Sequence, residues 1–267
     1  MNHGDIYTLL HVVTPAISRT SSWIQRVGIL DLALVVLAFF FYSAVREMAG
    51  ARAPEATSHA MSLVQLEQSL GVFQEQALQD AVLSSTLLVR WFNGFYAYGF
   101  FPPIYAIGLY LFFFQRDRYI FFRNAFLISG AIGLLAFHLF PMAPPRLLPW
   151  PYGMVDTLSE FSKVNYHSGG GFVNEYAAMP SLHAAWNLLI SMALITAFKN
   201  PGIKAIGFLM PVMMALAVVA TGNHFILDIA LGYVVAGLGL AGAILWRNHG
   251  WKLQRKLFGP SEAEVPA

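Results

Sequence analysis

Residues 180–246 read PSLHAAWNLLISMALITAFKNPGIKAIGFLMPVMMALAVVATGNHFILDIALGYVVAGLGLAGAILW. Three apolar segments, 180–198, 202–221 and 225–246, follow one another here. Each is close to the roughly 20 residues that a helix needs to cross a bilayer core. The breaks between them are short and polar, Lys199-Asn200-Pro201 and Gly222-Asn223-His224. Polar side chains of the first and third segments sit almost wholly at their N-terminal ends: Ser181 and His183 in one, Asp228 in the other with His224 just before it. Asn187 is the main exception.

Working outward, three more stretches qualify as spans: 28–46, 89–114 and 119–141. The composition agrees. The chain of 267 residues is 57% hydrophobic and 15% aromatic, and only 11% of it is charged, less than half of the about 25% that coats a soluble domain. Mean hydropathy is +0.57. These values exclude an ordinary soluble globule and a disordered chain. A formal charge of +2 spread over so apolar a chain argues against nucleic acid as a partner. With no cysteine there is no disulfide, no thiolate metal site and no cysteine nucleophile. Between the first two spans, Leu63, Leu66, Leu70 and Phe73 recur at helical spacing with Glu67, Glu75 and Asp80 among them. This pattern predicts an amphipathic helix over 60–82, lying at the membrane surface. The expectation is an all-α membrane protein. A six-helix transmembrane domain over 28–246 is flanked by a cytoplasmic N-terminal segment, 1–27, and a cytoplasmic tail, 247–267. Ala51-Arg52-Ala53 has the small residues of a cleavage site, but the first apolar run begins too late for a signal peptide and reads as an uncleaved helix.

Basic residues set the orientation. With both termini inside, Arg19, Arg26, Arg116, Arg118, Arg123, Lys199, Lys204, Arg247, Lys252, Arg255 and Lys256 are cytoplasmic. Arg46, Arg52, Arg90, Arg146 and Lys163 are outside. The majority inside supports this arrangement. It brings the loop 142–179 and the starts of the fourth and sixth spans to the outer face. The short loops and the lack of cysteine fit a multi-pass protein of a bacterial plasma membrane.

Three motifs meet at that face. In Phe140-Pro141-Met142-Ala143-Pro144-Pro145-Arg146, prolines stop the third span and stiffen the chain beyond it, and Arg146 emerges as a planar cation suited to phosphate. The alternative is an interfacial arginine reaching for headgroups. In Ala178-Met179-Pro180-Ser181-Leu182-His183-Ala184, Pro180 suits a first helical position, and the helix start offers N–H groups to an anion. The alternative for Ser181 and His183 is a cap and an interfacial imidazole. In Gly222-Asn223-His224-Phe225-Ile226-Leu227-Asp228, the histidine and acid are four apart and share a helix face. The carboxylate fixes one imidazole nitrogen as N–H and frees the other for attack. The alternative is an ion pair that sets helix depth. His183 and His224 are separated by the length of one helix in and one helix back, so both return to the face of Arg146. Two histidines, an acid and an arginine there suggest phosphoryl transfer. No metal-ligand spacing such as His-Glu-x-x-His occurs.

These motifs resemble the type 2 phosphatidic acid phosphatase superfamily, whose pattern is Lys-x6-Arg-Pro, Pro-Ser-Gly-His and Ser-Arg-x5-His-x3-Asp. Arg146, Pro180-Ser181-Leu182-His183 and His224-x3-Asp228 match it in order, within residues 28–246. The resemblance implies a nucleophile at His224, oriented by Asp228, and a general acid at His183; the lack of metal-ligand spacing predicts chemistry with no cofactor and no metal. The departures are Leu139 at the family lysine, with His138 beside it, Val218 at the second arginine, Ala217 at the serine and Leu182 at the glycine. Phe-Pro-x-Ala-Pro-Pro and Pro-Ser-Leu-His are closer to the inositol phosphorylceramide synthase branch, which passes a phosphoryl head group between lipids.

The expected reaction is phosphoryl transfer on a membrane lipid phosphoester through a phosphohistidine. It ends either on an alcohol acceptor, as in inositol-phosphate transfer, or on water, as in a phosphatase of phosphatidic acid or polyprenyl phosphate. A bell-shaped pH profile is expected from two histidines in opposite protonation states. Ser181, Asn223, Asn174, Tyr176 and Pro145 are candidate substrate contacts, with Glu175 beside them. Gly169-Gly170-Gly171 gives their loop freedom to close, and Tyr96, Tyr98, Pro102 and Pro103 are candidates for a lipid path. A reading from another class is a transporter or channel in which His183, His224 and Asp228 form a relay. Such a relay would spread polar groups through the membrane depth.

Overall fold

The computed structural model describes residues 52–161 and 175–258. The first expected span, the N-terminal segment, Asn174 and the glycine run lie outside the described residues. The described chain is helical: α1 Ala53–Ser69, α2 Glu75–Leu83, α3 Thr86–Tyr98, α4 Phe101–Phe114, α5 Arg116–Leu139, α6 Thr157–Phe161, α7 Leu182–Ala197, α8 Pro201–Ala220 and α9 Ile226–Phe258. A 3-10 turn occupies Pro145–Leu147.

Four stretches are long and apolar enough to cross a membrane: Thr86–Phe114, Arg116–Leu139, Pro201–Ala220 and Ile226–His249. They correspond to four of the six expected spans. The segment expected at 180–198 forms the shorter apolar helix α7, of 16 residues. It starts later than its proline suggests, because Ser181 is the N-cap: its Oγ accepts from the Ala184 N–H at 3.3 Å. Asn200 caps α8 in the same way, accepting from Gly202 and Ile203. The second span is broken. α3 ends at Tyr98 and α4 restarts at Phe101 with Pro102 in its first turn, since consecutive prolines are tolerated only where N–H groups would be orphans anyway. The break leaves the Gly99 carbonyl to accept from Asn187 Nδ2 on α7 at 2.9 Å.

Small buried side chains let the helices approach. Ala217, Val218, Val219 and Ala220 of α8 pack with Val89, Phe92 and Tyr96 of α3 and Ala184 of α7. Phe101, Tyr105, Leu109 and Phe113 recur every four residues along α4, and all are exposed. A continuous apolar stripe of this kind is a lipid-facing surface.

α1 and α2 differ from the expected surface helix. Leu66 and Leu70 are exposed, whereas Glu67 and Glu75 are fully buried. The apolar residues of α1 that are buried, Ala56, Ala60, Leu63 and Val64, pack on Met142, Ala143, Leu148 and Ala178 of the loops and on Phe225. The acids turn inward because they satisfy backbone donors at the start of α9.

Candidate active site

The sharp turn that delivers the second histidine begins at Gly222. Its φ is +70°, and a Cβ there would meet Val155 O at 3.1 Å and Arg146 Cβ at 3.2 Å, so glycine fits both the backbone and the space. The N–H groups of Asn223 and His224 both donate to Val218 O, at 3.0 and 3.1 Å. Val218, at the position of the family arginine, is therefore part of the core and of this turn.

His224 is 5% exposed, and its Nδ1 lies 3.4 Å from Asp228 Oδ2. The same oxygen accepts from the Phe225 N–H at 2.9 Å. Asp228 is fully buried in the first turn of α9. Burial chiefly, and the Arg146 charge in addition, push the His224 imidazole down to about 3, against a hydrogen bond to the Ala178 backbone that raises it. The ring is therefore neutral.

His183 stands in the first turn of α7, its ring centroid 5.7 Å from that of His224 at an interplanar angle of 62°. Tyr96 and Phe100 close round it at 4.8 and 4.5 Å. Backbone ties lock the two histidine-bearing helix starts together. The Ser181 N–H donates to Asp228 O at 2.9 Å, and a Cβ on Gly232 of α9 would meet Ser181 O at 2.3 Å.

Arg146 follows the double proline, and its side chain is only 6% exposed. Its N–H donates to Gly222 O at 3.0 Å. Nη1 donates to Asn223 Oδ1, and Nε lies 3.4 Å from Asp156 Oδ2. Asn223 is itself held, donating through Nδ2 to Thr221 Oγ1 at 2.8 Å. The guanidinium is thus aimed by two side chains.

The structure brings His183, His224, Asp228, Arg146 and Asn223 together. Ser181 is engaged in capping α7. Pro145 is buried in the strap that carries Arg146. Tyr176 is half-buried against the α1 cluster, and its carbonyl accepts from Met142 N–H at 2.8 Å. Asn174 is outside the described residues.

Sequence reasoning missed Asp156, Gln79, Glu67 and Glu75. Gln79 pins the loop of Asp156 by three hydrogen bonds, accepting from Val155 N–H and donating to Val155 O and Ala220 O. Glu75 Oε1 accepts from Ile226 N–H and Glu67 Oε1 from Leu227 N–H, both at 2.8 Å. Burial, then the hydrogen bond with Glu75, push the Glu67 carboxyl up to about 9. Among the described residues, no three His, Cys, Asp or Glu side chains converge as a metal site.

The fold and centre describe a helical membrane protein with a two-histidine, one-arginine site at one end of its bundle. The chain belongs to the PAP2 superfamily, whose profile matches residues 61–242. Among solved structures, the crystal structure of Aquifex aeolicus LpxE aligns with 65% of this chain and 92% of that one, at 18% identity and a TM-score of 0.49. No curated protein matches the sequence.

Proposed function

We propose that this chain removes or transfers the phosphoryl group of a membrane lipid phosphoester by way of a phosphohistidine at His224. The observation that carries the reading is the neutral, buried imidazole of His224, with Asp228 at Nδ1, the His183 ring beside it and the Arg146 guanidinium close by. In the first half-reaction, Nε2 of His224, released from the Ala178 carbonyl with the ring proton moved to Nδ1 beside Asp228, attacks phosphorus in line and forms the N–P bond. The P–O bond to the lipid breaks, and His183 donates its proton to the leaving oxygen. Asp228 balances the positive charge that builds on the substituted ring. Arg146 binds the non-bridging oxygens, where charge develops. In the second half-reaction, His183 takes a proton from water, the oxygen attacks phosphorus and the N–P bond breaks, releasing phosphate. An acceptor alcohol in place of water gives transfer. Phe140-Pro141-Met142-Ala143-Pro144-Pro145 and Pro180-Ser181-Leu182-His183 favour that second outcome for a suitable acceptor. In this reading both termini are cytoplasmic, the centre faces outward, and the side chains supply nucleophile, acid and cation without a metal.

The test is phosphate release from phosphatidic acid, polyprenyl phosphate and phosphoinositides in detergent with EDTA, with and without an added lipid alcohol as acceptor. Wild type is expected to release phosphate and to give an acid-labile, base-stable phosphoprotein in a rapid quench. His224→Ala is expected to do neither. Release by His224→Ala at the wild-type rate would overturn the nucleophile.

A further inference from the structure

The proposed chemistry leaves the two buried glutamates unused, yet they touch the helix that carries it. Three successive N–H groups open the last helix, and each meets a carboxylate: Phe225 to Asp228 Oδ2 at 2.9 Å, Ile226 to Glu75 Oε1 and Leu227 to Glu67 Oε1, both at 2.8 Å. Free N–H groups and the positive dipole end favour negative charge there. Three full charges in one water-excluded site exceed what that end can balance. Glu67 Oε2 and Glu75 Oε2 are also buried and find no N–H donor among the described residues. The side chains of Glu67 and Glu75 are within hydrogen-bond reach of each other, and two carboxylates in such contact hold one proton between them.

We infer that Glu67 and Glu75 are positioning residues for His224: a carboxyl–carboxylate pair that shares one proton and clamps the first turn of α9. This rests on the proposed role of His224. The clamp fixes Phe225 to Leu227, the residues between nucleophile and orienting acid, so it sets the angle at which Asp228 meets the imidazole. α1 and α2 are then a brace reaching in from the chain's N-terminal side, more than a surface anchor. The titratable groups acting on Glu67 are Glu75 from α2 and Asp228 from α9, and both raise it. No cation pairs with either glutamate among the described residues. Loss of the shared proton puts two like charges against a third, and the turn opens.

The experiment uses the purified full chain in detergent and two readouts. The first is infrared spectroscopy at neutral pH. A protonated-carboxyl stretch is expected in wild type, lost in Glu67→Gln and kept in Glu160→Gln, whose glutamate is exposed. The second is kcat and KM on whichever lipid of the panel wild type hydrolyses. Glu67→Gln and Glu75→Gln are expected to stay near wild type, because the amide N–H replaces the shared proton. Glu67→Ala and Glu75→Ala each lose about 100-fold in kcat with KM unchanged, the scale of a misplaced reacting group. Wild-type kcat is expected to fall as pH rises through about 9, and that of Glu67→Gln to lack this step. Alanine variants with wild-type kcat, or a spectrum without the band, overturn the inference. Should the alanine variants fail to fold, the band and the alkaline step decide. A wild type inactive on every lipid counts against the proposed function, and the band still decides whether the pair shares a proton.

Discussion

Burial, with the Arg146 guanidinium adding to it, keeps the His224 ring neutral, so in the proposed reaction it need not shed a proton before it attacks. The pH effect has a definite sign. An imidazole pushed down from 6.5 to about 3 is protonated more readily in the unfolded chain. Its contribution to stability is full above pH 6.5 and is lost as pH falls toward 3. Wild type is therefore expected to lose thermal stability on acidification through this window, and His224→Asn to show a shallower slope by intrinsic fluorescence. Equal slopes would mean that the imidazole is not held neutral by the fold. Arg146 makes a different demand, geometry more than charge. Asn223 and Asp156 orient a planar fork that a lysine cannot reproduce. Arg146→Lys is expected to lower kcat by about 100- to 1000-fold, the cost of removing a preorganised donor. Asp156→Asn is expected to cost less, because the Asn223 contact remains. A lysine variant at wild-type kcat would reduce Arg146 to a point charge.

The histidines meet because two helix starts are pressed together. Ser181 O lies where a Cβ on Gly232 would come within 2.3 Å, a distance that backbone cannot yield without separating α7 from α9. Gly232→Ala is therefore expected to lower kcat strongly and to reduce thermal stability, whereas Gly237→Ala, where a Cβ meets nothing within 4 Å, is expected to leave both unchanged. Similar behaviour of the two variants would show that close approach is not what sets the histidine pair. At this scale the sequence was readable wherever the signal was local or had a membrane's length. His183 and His224 could be brought to one face because two spans separate them, and His224 and Asp228 because they are one helical turn apart. Glu67 and Glu75 were not readable. Acids among leucines look like a solvated face, and their partners, Leu227 and Ile226, lie 160 and 151 residues further along the chain. Asp156 was hidden for the same reason: its link to Arg146 crosses a loop with no periodicity. Pro180 misled by two positions, since Ser181 is the cap and α7 begins at Leu182.

For the whole molecule, the centre lies at one end of the bundle, and which side of the membrane that end faces decides which lipids reach it. Arg146, His183 and His224 share that end with the loop 142–156, whose Trp150 is 92% exposed. The α4–α5 junction at Gln115 lies at the far end of the Thr86–Phe114 stretch, with Asp117 exposed beside it. The proposed orientation, drawn from the excess of Lys and Arg in the sequence at the junction end and the termini, puts those inside by the positive-inside rule. The chain holds no cysteine, so single cysteines can be read against a silent background. Trp150→Cys is expected to react with a membrane-impermeant maleimide in intact cells, and Asp117→Cys only after permeabilisation. The reverse pattern would place the centre on the cytoplasmic side, where it would meet lipids of the inner leaflet, and would overturn the outward-facing reading while leaving the chemistry at His224 as proposed. Both residues lie away from the histidines, so each variant is expected to keep its phosphate release, and that activity in turn shows that the labelled protein is folded.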